Sequence, residues 1–208
     1  MIHFRVDPVA PDPDAVRAAA DAVVAGEVIA LPTDTLYGLA VNPHDADAVD
    51  RLFRLKGRPP GQPVPLIATD LAEVERWAGR LDGAAGRLAA AFWPGPLTLL
   101  VRAWPQVVAD VHGGTGAVGV RVPAHYVARA VTRAAGLPLV ATSANLSGEP
   151  PPSRADAIHA SIASGAAVLL DAGPTPGGLP STIVDVRGSA PVLVRAGAIA
   201  WERVLEFV

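Results

Sequence analysis

The sequence predicts an α/β fold in which helices surround a twisted, mixed β-sheet. Short apolar runs bounded by Gly and Pro, typical of buried strands, alternate with segments that carry an apolar stripe at helical spacing. The last predicted strands follow one another closely, which favours a mixed sheet over a purely parallel one. The chain has 208 residues, of which 50% are hydrophobic. It can therefore build one large domain, residues 1–208, with a sizeable core.

Start and stop signals delimit the predicted elements. Asp12 is a typical helix N-cap, Pro13 suits the first helical position, and Gly26 ends the first helix. The predicted helices cover residues 13–25, 44–56, 70–79, 82–93, 124–136, 154–163 and 198–207. The predicted strands cover residues 27–31, 64–69, 97–101, 138–142, 167–171, 182–186 and 191–195, with a further strand through Arg121 that ends at Pro123. Residues 32–38 are predicted to form a polar turn, and the second helix presents its last residue, Lys56, beside a loop.

Composition excludes several classes of protein. The formal net charge of -3 gives no general sign of a nucleic-acid binder. The chain has no cysteine, which excludes disulfides, thiolate zinc sites and a cysteine nucleophile and fits an intracellular setting. The N-terminus has no apolar signal region, and no segment approaches the roughly eighteen apolar residues of a membrane span. We expect a soluble, cytoplasmic protein without membrane contact.

Three apparent motifs carry no function in this context. Residues 114–119 match G-x-G-x-x-G, but a strand follows them where a dinucleotide-binding fold requires a helix. No P-loop sequence occurs, and the five histidines show none of the close spacings of a zinc site. The four tryptophans lie in or beside apolar helical stretches, which is more typical of packing than of base stacking.

Four polar clusters remain, each at a strand end or in a loop after one. They are residues 32–38, 56–58, 141–148 and 180–185, the last with Arg195 downstream. Any one of them is explained by ordinary turn chemistry, because turns use Ser, Thr, Asn and Gly. Ligands of open α/β sheets collect at such edges, and loops that combine hydroxyls with several cations suit a shared anionic ligand. Together the clusters predict one site for a polyanionic small molecule.

The ordered set of motifs resembles the YrdC/Sua5 family of threonylcarbamoyl-AMP synthases. The motifs that carry the resemblance are PTDTLYGL, K-x-R-P-P, FWPGPLTLLV, VGVRVP, SANLSG and STIVD-(x9)-RAG, spread between about residues 12 and 200. The resemblance implies a YrdC-like twisted mixed sheet with a large, concave, cationic cavity. Some members of the family add a C-terminal Sua5 domain, and the length of this chain resembles the single-domain form.

In that family the enzyme is a nucleotidyltransferase. The resemblance implies that L-threonine, bicarbonate or CO2, and ATP are converted to L-threonylcarbamoyladenylate and pyrophosphate, the first step towards the t6A37 modification of tRNA. It implies Mg2+ bound with ATP, no prosthetic group, and contact with tRNA or with partner proteins that transfer the product. Carbamate, triphosphate and the transition state are all anionic, so positioning and charge stabilisation suffice without an enzyme nucleophile.

The resemblance also implies roles for individual residues. The family's catalytic Lys-Arg-Ser-Asn tetrad corresponds to Lys56, Arg58, Ser143 and Asn145. The expected threonine-binding residues are Thr33, Thr35, Tyr37, Arg58 and Ser181. The expected nucleotide-binding residues are Lys56, Arg121, Ser143, Asn145, Thr182 and Arg195, although a structural salt bridge is an equal alternative for Arg121. No protein side chain is expected to bind the metal, which phosphates and water would hold.

The chain departs from the family pattern at two places, and two alternative functions stay open. Residues 62–64 read Gln-Pro-Val where many relatives have Asn-Pro-Leu, and Ile67-Ala68 stands where some relatives carry a histidine. This puts one substrate contact in doubt but leaves the tetrad intact. The first alternative is a double-stranded RNA or tRNA-binding module, which the net charge disfavours. The second is a carbamoyl-transfer enzyme domain, which elsewhere occurs in much larger proteins.

Overall fold

The computed structural model describes residues 1–59 and 61–208, so that Pro60 of the K-x-R-P-P motif lies outside the described residues. The strands are β1 (Ile2–Arg5), β2 (Ile29–Pro32), β3 (Tyr37–Val41), β4 (Leu66–Ile67), β5 (Leu97–Arg102), β6 (Ala117–Arg121), β7 (Leu139–Ser143), β8 (Val168–Asp171), β9 (Thr182–Asp185) and β10 (Val192–Arg195). The helices are α1 (Pro13–Val24), α2 (Ala46–Lys56), α3 (Leu71–Ala78), α4 (Gly83–Phe92), α5 (Ala109–His112), α6 (Tyr126–Ala135), α7 (Ala160–Gly165) and α8 (Trp201–Leu205).

The ten strands form one mixed sheet in the order β1-β8-β2-β3-β7-β4-β6-β5-β9-β10. Strand β8 runs parallel to both β1 and β2, and the pairs β4/β6 and β5/β9 are also parallel. The remaining neighbours are antiparallel. The predicted mixed sheet flanked by helices is therefore confirmed.

Helices cover both faces of the sheet and bury its inner strands on both sides, whereas the edge strands β1 and β10 are mostly exposed. One core cluster joins α1 and α6 to residues such as Ile29, Leu31 and Ala40. The other joins the remaining helices to the alternate residues of the same strands, including Ala30 and Leu39. Side chains alternate across a strand, so neighbours in sequence enter opposite cores. This explains why the strands read as continuous apolar runs.

The caps of α2 determine where the chain leaves this helix. The side chain of Asp45 accepts hydrogen bonds from the amides of Asp47 and Ala48 at 3.0 and 3.1 Å and so forms the N-cap of α2. Gly57 ends the helix in the left-handed conformation, with φ of 60°, and the amide of Arg58 donates to the carbonyl of Phe53 at 2.9 Å. This pair of features is a Schellman C-cap. It turns the chain sharply and separates the directions of Lys56 and Arg58.

Some elements differ from the sequence prediction. The polar turn predicted over residues 32–38 is shorter, because Tyr37 and Gly38 already pair as strand β3 with β2. The helix predicted over 154–163 is a 3-10 turn (Ala155–Ala157) and then α7, because Ile158 is extended and His159 caps the next helix. Strands β1 and β3 and helix α5 were not predicted. No helix in the described part of the chain is long and apolar enough to span a bilayer.

Candidate active site

A cavity of about 260 Å³ is lined by residues from six adjacent strands, β3, β7, β4, β6, β5 and β9, with Arg195 from β10. Eight predicted site residues line it: Thr33, Thr35, Tyr37, Arg58, Arg121, Ser143, Ser181 and Arg195. The sheet register explains this convergence. Gly38 pairs with Ser143, Ile67 pairs with Arg121, and Leu97 pairs with Thr182. Segments that are far apart in sequence therefore meet around one cavity.

The loop between β2 and β3 is held rigidly by Thr33. The Thr33 hydroxyl donates to the carbonyl of Leu36 at 2.7 Å and accepts from the amides of Thr35 and Leu36, both at 3.2 Å. The Thr33 and Thr35 hydroxyl oxygens are 3.0 Å apart. From outside the loop, the carbonyl of Thr35 accepts a hydrogen bond from the Thr175 hydroxyl at 3.0 Å. A loop held at this many points presents its hydroxyls in a fixed arrangement.

Arg121 enters the cavity wall from the end of β6. Its Nε donates to the carbonyl of Gly95 at 3.0 Å, its Nη1 lies 3.4 Å from the Thr35 hydroxyl, and its Nη2 donates to Asp34 Oδ1 at 2.5 Å. The Arg121 and Asp34 side chains are 9% and 11% exposed. Arg121 therefore forms the salt bridge that was one of the two alternatives, and it also lines the cavity, while its contact with a nucleotide stays a prediction.

Lys56 lies behind the cavity wall rather than in it. Its residue is 2% exposed, and Nζ donates to the carbonyls of Ser143 and Asn145, the latter at 2.7 Å. Burial, with the nearby charge of Arg58 as the smaller cause, lowers the pKa of Lys56 from 10.5 to about 8. Its contacts within hydrogen-bonding distance are carbonyl and amide oxygens, which leave its positive charge available to an anion at the adjacent loop.

Asn145 organises the loop that follows β7. Its Nδ2 donates to the carbonyls of Leu146 and Glu149 at 2.9 and 2.6 Å, and its Oδ1 lies 3.4 Å from Lys56 Nζ. The Lys56 carbonyl in turn accepts from the amide of Ser147 at 2.9 Å. Lys56 and Asn145 therefore fix the backbone around Ser143, whose side chain lines the cavity.

Arg58 and Arg195 supply two further cations. Arg58 Nη2 donates to the carbonyl of Pro63 at 2.9 Å, while its buried Nε has no hydrogen-bond partner among the described residues. Arg195 Nη2 donates to the carbonyl and hydroxyl of Ser181 at 2.8 and 3.1 Å. Burial lowers the pKa of Arg58, and burial with the charge of Arg121 lowers the pKa of Arg195. Both guanidiniums therefore lie where an anionic ligand would stabilise their positive charge through charge-assisted hydrogen bonds.

The hydroxyls of Tyr37 and Thr182 point away from the cavity. The Tyr37 hydroxyl donates to the carbonyl of Gly173 at 2.6 Å and lies 3.2 Å from Asp171 Oδ1. Burial, the larger cause, and the charge of Asp171 raise the pKa of this phenol. The Thr182 hydroxyl donates to the carbonyl of Ile199 at 2.7 Å. These two hydroxyls therefore hold the structure around the cavity, and Thr182 is not among the lining residues.

Two polar residues of the site escaped the sequence prediction. Thr98 lines the cavity, is 1% exposed, and its hydroxyl oxygen is 2.8 Å from that of Ser181. Asp34 stands behind Arg121. Both lie inside the quoted motifs, so position in a motif was the available signal. Residue type was not, because a threonine in a strand and an aspartate in a turn are ordinary choices.

Together these side chains define the chemical class of the site. Three guanidiniums, those of Arg58, Arg121 and Arg195, line one small cavity together with hydroxyl groups, and the Lys56 amine is buried behind its wall. Fixed guanidiniums and hydroxyls bind carboxylates and phosphates by charge-assisted hydrogen bonds. In residues 1–59 and 61–208, no group of three or more His, Cys, Asp or Glu side chains converges as a metal site. The protein is therefore an α/β protein with a cavity whose lining has the chemistry that suits a small anionic ligand.

The chain belongs to the Sua5/YciO/YrdC family, whose model, described as "Telomere recombination", matches residues 21–197. A threonylcarbamoyl-AMP synthase of Bacillus subtilis is 38% identical over 194 residues, which cover 93% of this chain and 56% of that protein. One of Alkalilimnicola ehrlichii is 38% identical over 180 residues, which cover 85% of this chain and 94% of that protein. The crystal structure of Pyrococcus abyssi Sua5 complexed with L-threonine superimposes with a TM-score of 0.94 at 34% identity, over all of this chain and 61% of that one. This chain thus spans little more than half of some relatives and nearly all of others.

Proposed function

We propose that the protein is a threonylcarbamoyl-AMP synthase, a nucleotidyltransferase that acts in the cytoplasm at the start of tRNA t6A37 synthesis. One observation carries this proposal: a cavity lined by three arginines, with Lys56 behind its wall, lies in a fold that a threonine-binding Sua5 shares. Relatives that are 38% identical carry this activity in their names. A volume of about 260 Å³ is slightly below the usual range for drug-sized ligands, roughly 300–1,000 Å³, and suits an amino acid with its carbamate.

The proposed reaction has two steps. The uncharged amine of L-threonine attacks CO2, derived from bicarbonate, and loses a proton to give the carbamate. A carbamate oxygen then attacks the α-phosphorus of ATP, the bond to the β-phosphate oxygen breaks, and pyrophosphate leaves. No step needs a covalent bond to the protein. The chain contributes position and positive charge, which are the main sources of catalysis in phosphoryl-type transfer.

The cations have distinct parts in this scheme. Arg58 receives the carbamate or carboxylate, because its guanidinium lines the cavity and its buried Nε is free of protein acceptors among the described residues. Lys56 acts on the phosphates from behind the loop of Ser143, as a charge and as the group that shapes the loop. The Ser143 side chain donates to a phosphate oxygen, and Asn145 keeps that loop in place.

The remaining predicted residues divide between the two substrates. Thr33, Thr35 and Ser181 bind threonine through hydroxyl or backbone groups, and Arg121 and Arg195 bind the nucleotide end. Tyr37 and Thr182 contribute through their backbone, because their hydroxyls are engaged elsewhere. Mg2+ enters with ATP, held by phosphate oxygens and water. The product is then passed to tRNA or to a transferase partner protein.

The direct test is incubation with ATP, Mg2+, bicarbonate and L-threonine, with detection of threonylcarbamoyl-AMP and pyrophosphate. Formation of both supports the proposal. Product from a different amino acid but not from L-threonine would reject the substrate, and product from carbamoyl phosphate alone would favour carbamoyl transfer. Steeply salt-dependent tRNA binding without any ATP turnover would instead favour the RNA-binding alternative.

Substitutions test the cations separately. Lys56→Ala and Arg58→Ala should each lower the rate at least about tenfold while the protein stays folded, because each removes a group aimed at developing charge. Arg54→Ala is the matched control, since its side chain is 80% exposed on the same helix and pairs with Asp50. A near-normal rate for Lys56→Ala or for Arg58→Ala would show that the substituted residue has no part in the mechanism.

A further inference from the structure

The guanidinium of Arg121 donates hydrogen bonds to three different acceptors. A guanidinium has five N–H donors, and the carbonyl of Gly95, the hydroxyl of Thr35 and the carboxylate of Asp34 each take a separate nitrogen of Arg121. One N–H on each of Nη1 and Nη2 is left over. Because Arg121 lines the cavity, these two donors are available to a ligand. Three contacts to one planar group fix both its position and its orientation.

Asp34 contacts Arg121 in a way that does not maximise stability. Only Oδ1 is used, whereas a bidentate pair would use both carboxylate oxygens. Oδ2 is buried and has no hydrogen-bond partner among the described residues, and the same holds for the buried Nδ1 of His125. Burial lowers the pKa of His125, and the charge of Asp34 opposes this shift only in part. A buried carboxylate oxygen without a partner is costly. The presence of this carboxylate beside Arg121 points to a role other than stabilising the fold.

The charges around Arg121 indicate that task. Arg195 lies close enough for the charge of Arg121 to lower its pKa, in addition to the larger effect of burial. Two like charges in one partly dehydrated cavity repel each other, and an arginine side chain that is not held would swing away. The Asp34 carboxylate, which is 11% exposed and does not line the cavity, offsets this repulsion through its ion pair with Arg121.

We propose that Asp34 is a positioning residue that holds Arg121 at the cavity wall, with its two remaining N–H groups directed at the anionic ligand. Asp34 itself does not line the cavity, so it acts through Arg121. The proposal rests on the proposed function for its ligand, but the order of the Arg121 side chain is a property of the protein alone. The two can therefore be tested separately.

The first measurement is side-chain NMR of protein labelled with ¹⁵N-arginine. In the wild type, the Arg121 Nε–H signal, assigned with Arg121→Lys, should show the relaxation of a rigid group. In Asp34→Asn, which keeps the shape but removes the charge, it should become mobile or broaden. Asp156→Asn is the control, because Asp156 pairs with Arg154 on the surface, where both side chains are more than half exposed. An Arg121 signal that stays rigid in Asp34→Asn would overturn the proposal.

The second measurement is a double-mutant cycle on kcat/KM for threonylcarbamoyl-AMP formation. Asp34→Asn should lower kcat/KM about tenfold or more, since misplacing a charge-stabilising donor has this order of effect. In an Arg121→Ala background the same change should have little further effect, because Asp34 has nothing left to position. Effects that multiply instead would show that Asp34 acts independently, contrary to the proposal.

The role of Asp34 can still be tested if Asp34→Asn does not fold or if the wild type is inactive. If Asp34→Asn does not fold, Asp34→Glu replaces it, because it keeps the carboxylate but moves it by one methylene. Its effect on Arg121 order and on kcat/KM should likewise vanish in the Arg121→Ala background. If the wild type forms no threonylcarbamoyl-AMP, the proposed function fails, and the NMR measurement alone decides the role of Asp34.

Discussion

Lys56 is the single lysine of the 208-residue chain, so its ionisation can be measured without interference from other lysines. Its Nζ is enclosed by the carbonyls of Ser143 and Asn145, and burial is the main cause that lowers its pKa from 10.5 to about 8. Protein labelled with ¹³C-lysine should therefore give one titrating side-chain signal. We expect its midpoint to lie about two units below the ordinary lysine value of about 10.4.

The same shift predicts how stability depends on pH. Between the folded and unfolded pKa values of Lys56, the unfolded state binds more protons than the folded state, so the free energy of unfolding rises with pH. Integration from about pH 7 to about pH 9.5 gives a gain of about 2 kcal/mol from Lys56 alone. Below the folded pKa the cost of burying the protonated amine is fully present, and the gain is complete only above the unfolded pKa.

Urea unfolding of the wild type and of Lys56→Met at both pH values isolates this contribution. Methionine has a similar length but no charge, so the variant should lack the gain of about 2 kcal/mol, whatever its absolute stability. The upper pH stays below about 10, where tyrosines ionise in the unfolded chain. Identical pH dependence in the two proteins, or a lysine signal with an ordinary midpoint, would refute the reasoning.

Three further substitutions test the frame around the cavity. Tyr37→Phe removes the hydrogen bonds of a buried hydroxyl to Asp171 and its neighbours, and urea unfolding should show a loss of about 1–3 kcal/mol. Asp45→Ala removes the N-cap of α2 and should cost about 0.5–2 kcal/mol in the same assay. Gly38→Ala would place a Cβ 3.1 Å from the carbonyl oxygen of Thr142 at the cavity wall, so both stability, by about 1–3 kcal/mol, and L-threonine affinity in calorimetry should fall. Unchanged stability in any of these variants would mean that the corresponding contact is not formed in solution.

Buried strands and capped helices were predictable because their signals are local. Strand β2 is apolar and bounded by Gly and Pro, and α2 begins at a cap residue that the sequence displays. Strand β1 was missed because its residues are mostly exposed and it exists through pairing with β8, more than 160 residues later. Strand β3 was missed because it begins at Tyr37, inside a polar motif that is typical of a turn.

The site was predictable as a set of segments but not as a geometry. The four polar clusters do converge, because the strand order brings their strands together. Spacing along the chain could not reveal that the Tyr37 and Thr182 hydroxyls point away from the cavity, or that Lys56 lies behind its wall. Nor could it show that Asp34 pairs with Arg121, because that contact spans 87 positions.

The wide separation of the contacting segments has a consequence for folding. Lys56 meets Ser143 across 87 positions, and Thr35 meets Thr175 across 140. The chain loses the entropy of closing such long loops before the stabilising contacts form. Domains rich in non-local contacts therefore fold slowly. A proteolytic fragment that lacks either end of these pairs loses contacts that hold the loops around the cavity.

Ligand binding and global unfolding are therefore linked. A ligand that binds only the assembled cavity stabilises the whole chain by RT ln(1 + [L]/Kd), which is about 2.7 kcal/mol at a hundredfold excess over Kd. Protection from proteolysis by L-threonine or ATP should accordingly extend to sites distant from the cavity, including the exposed strand β1 at the far edge of the sheet.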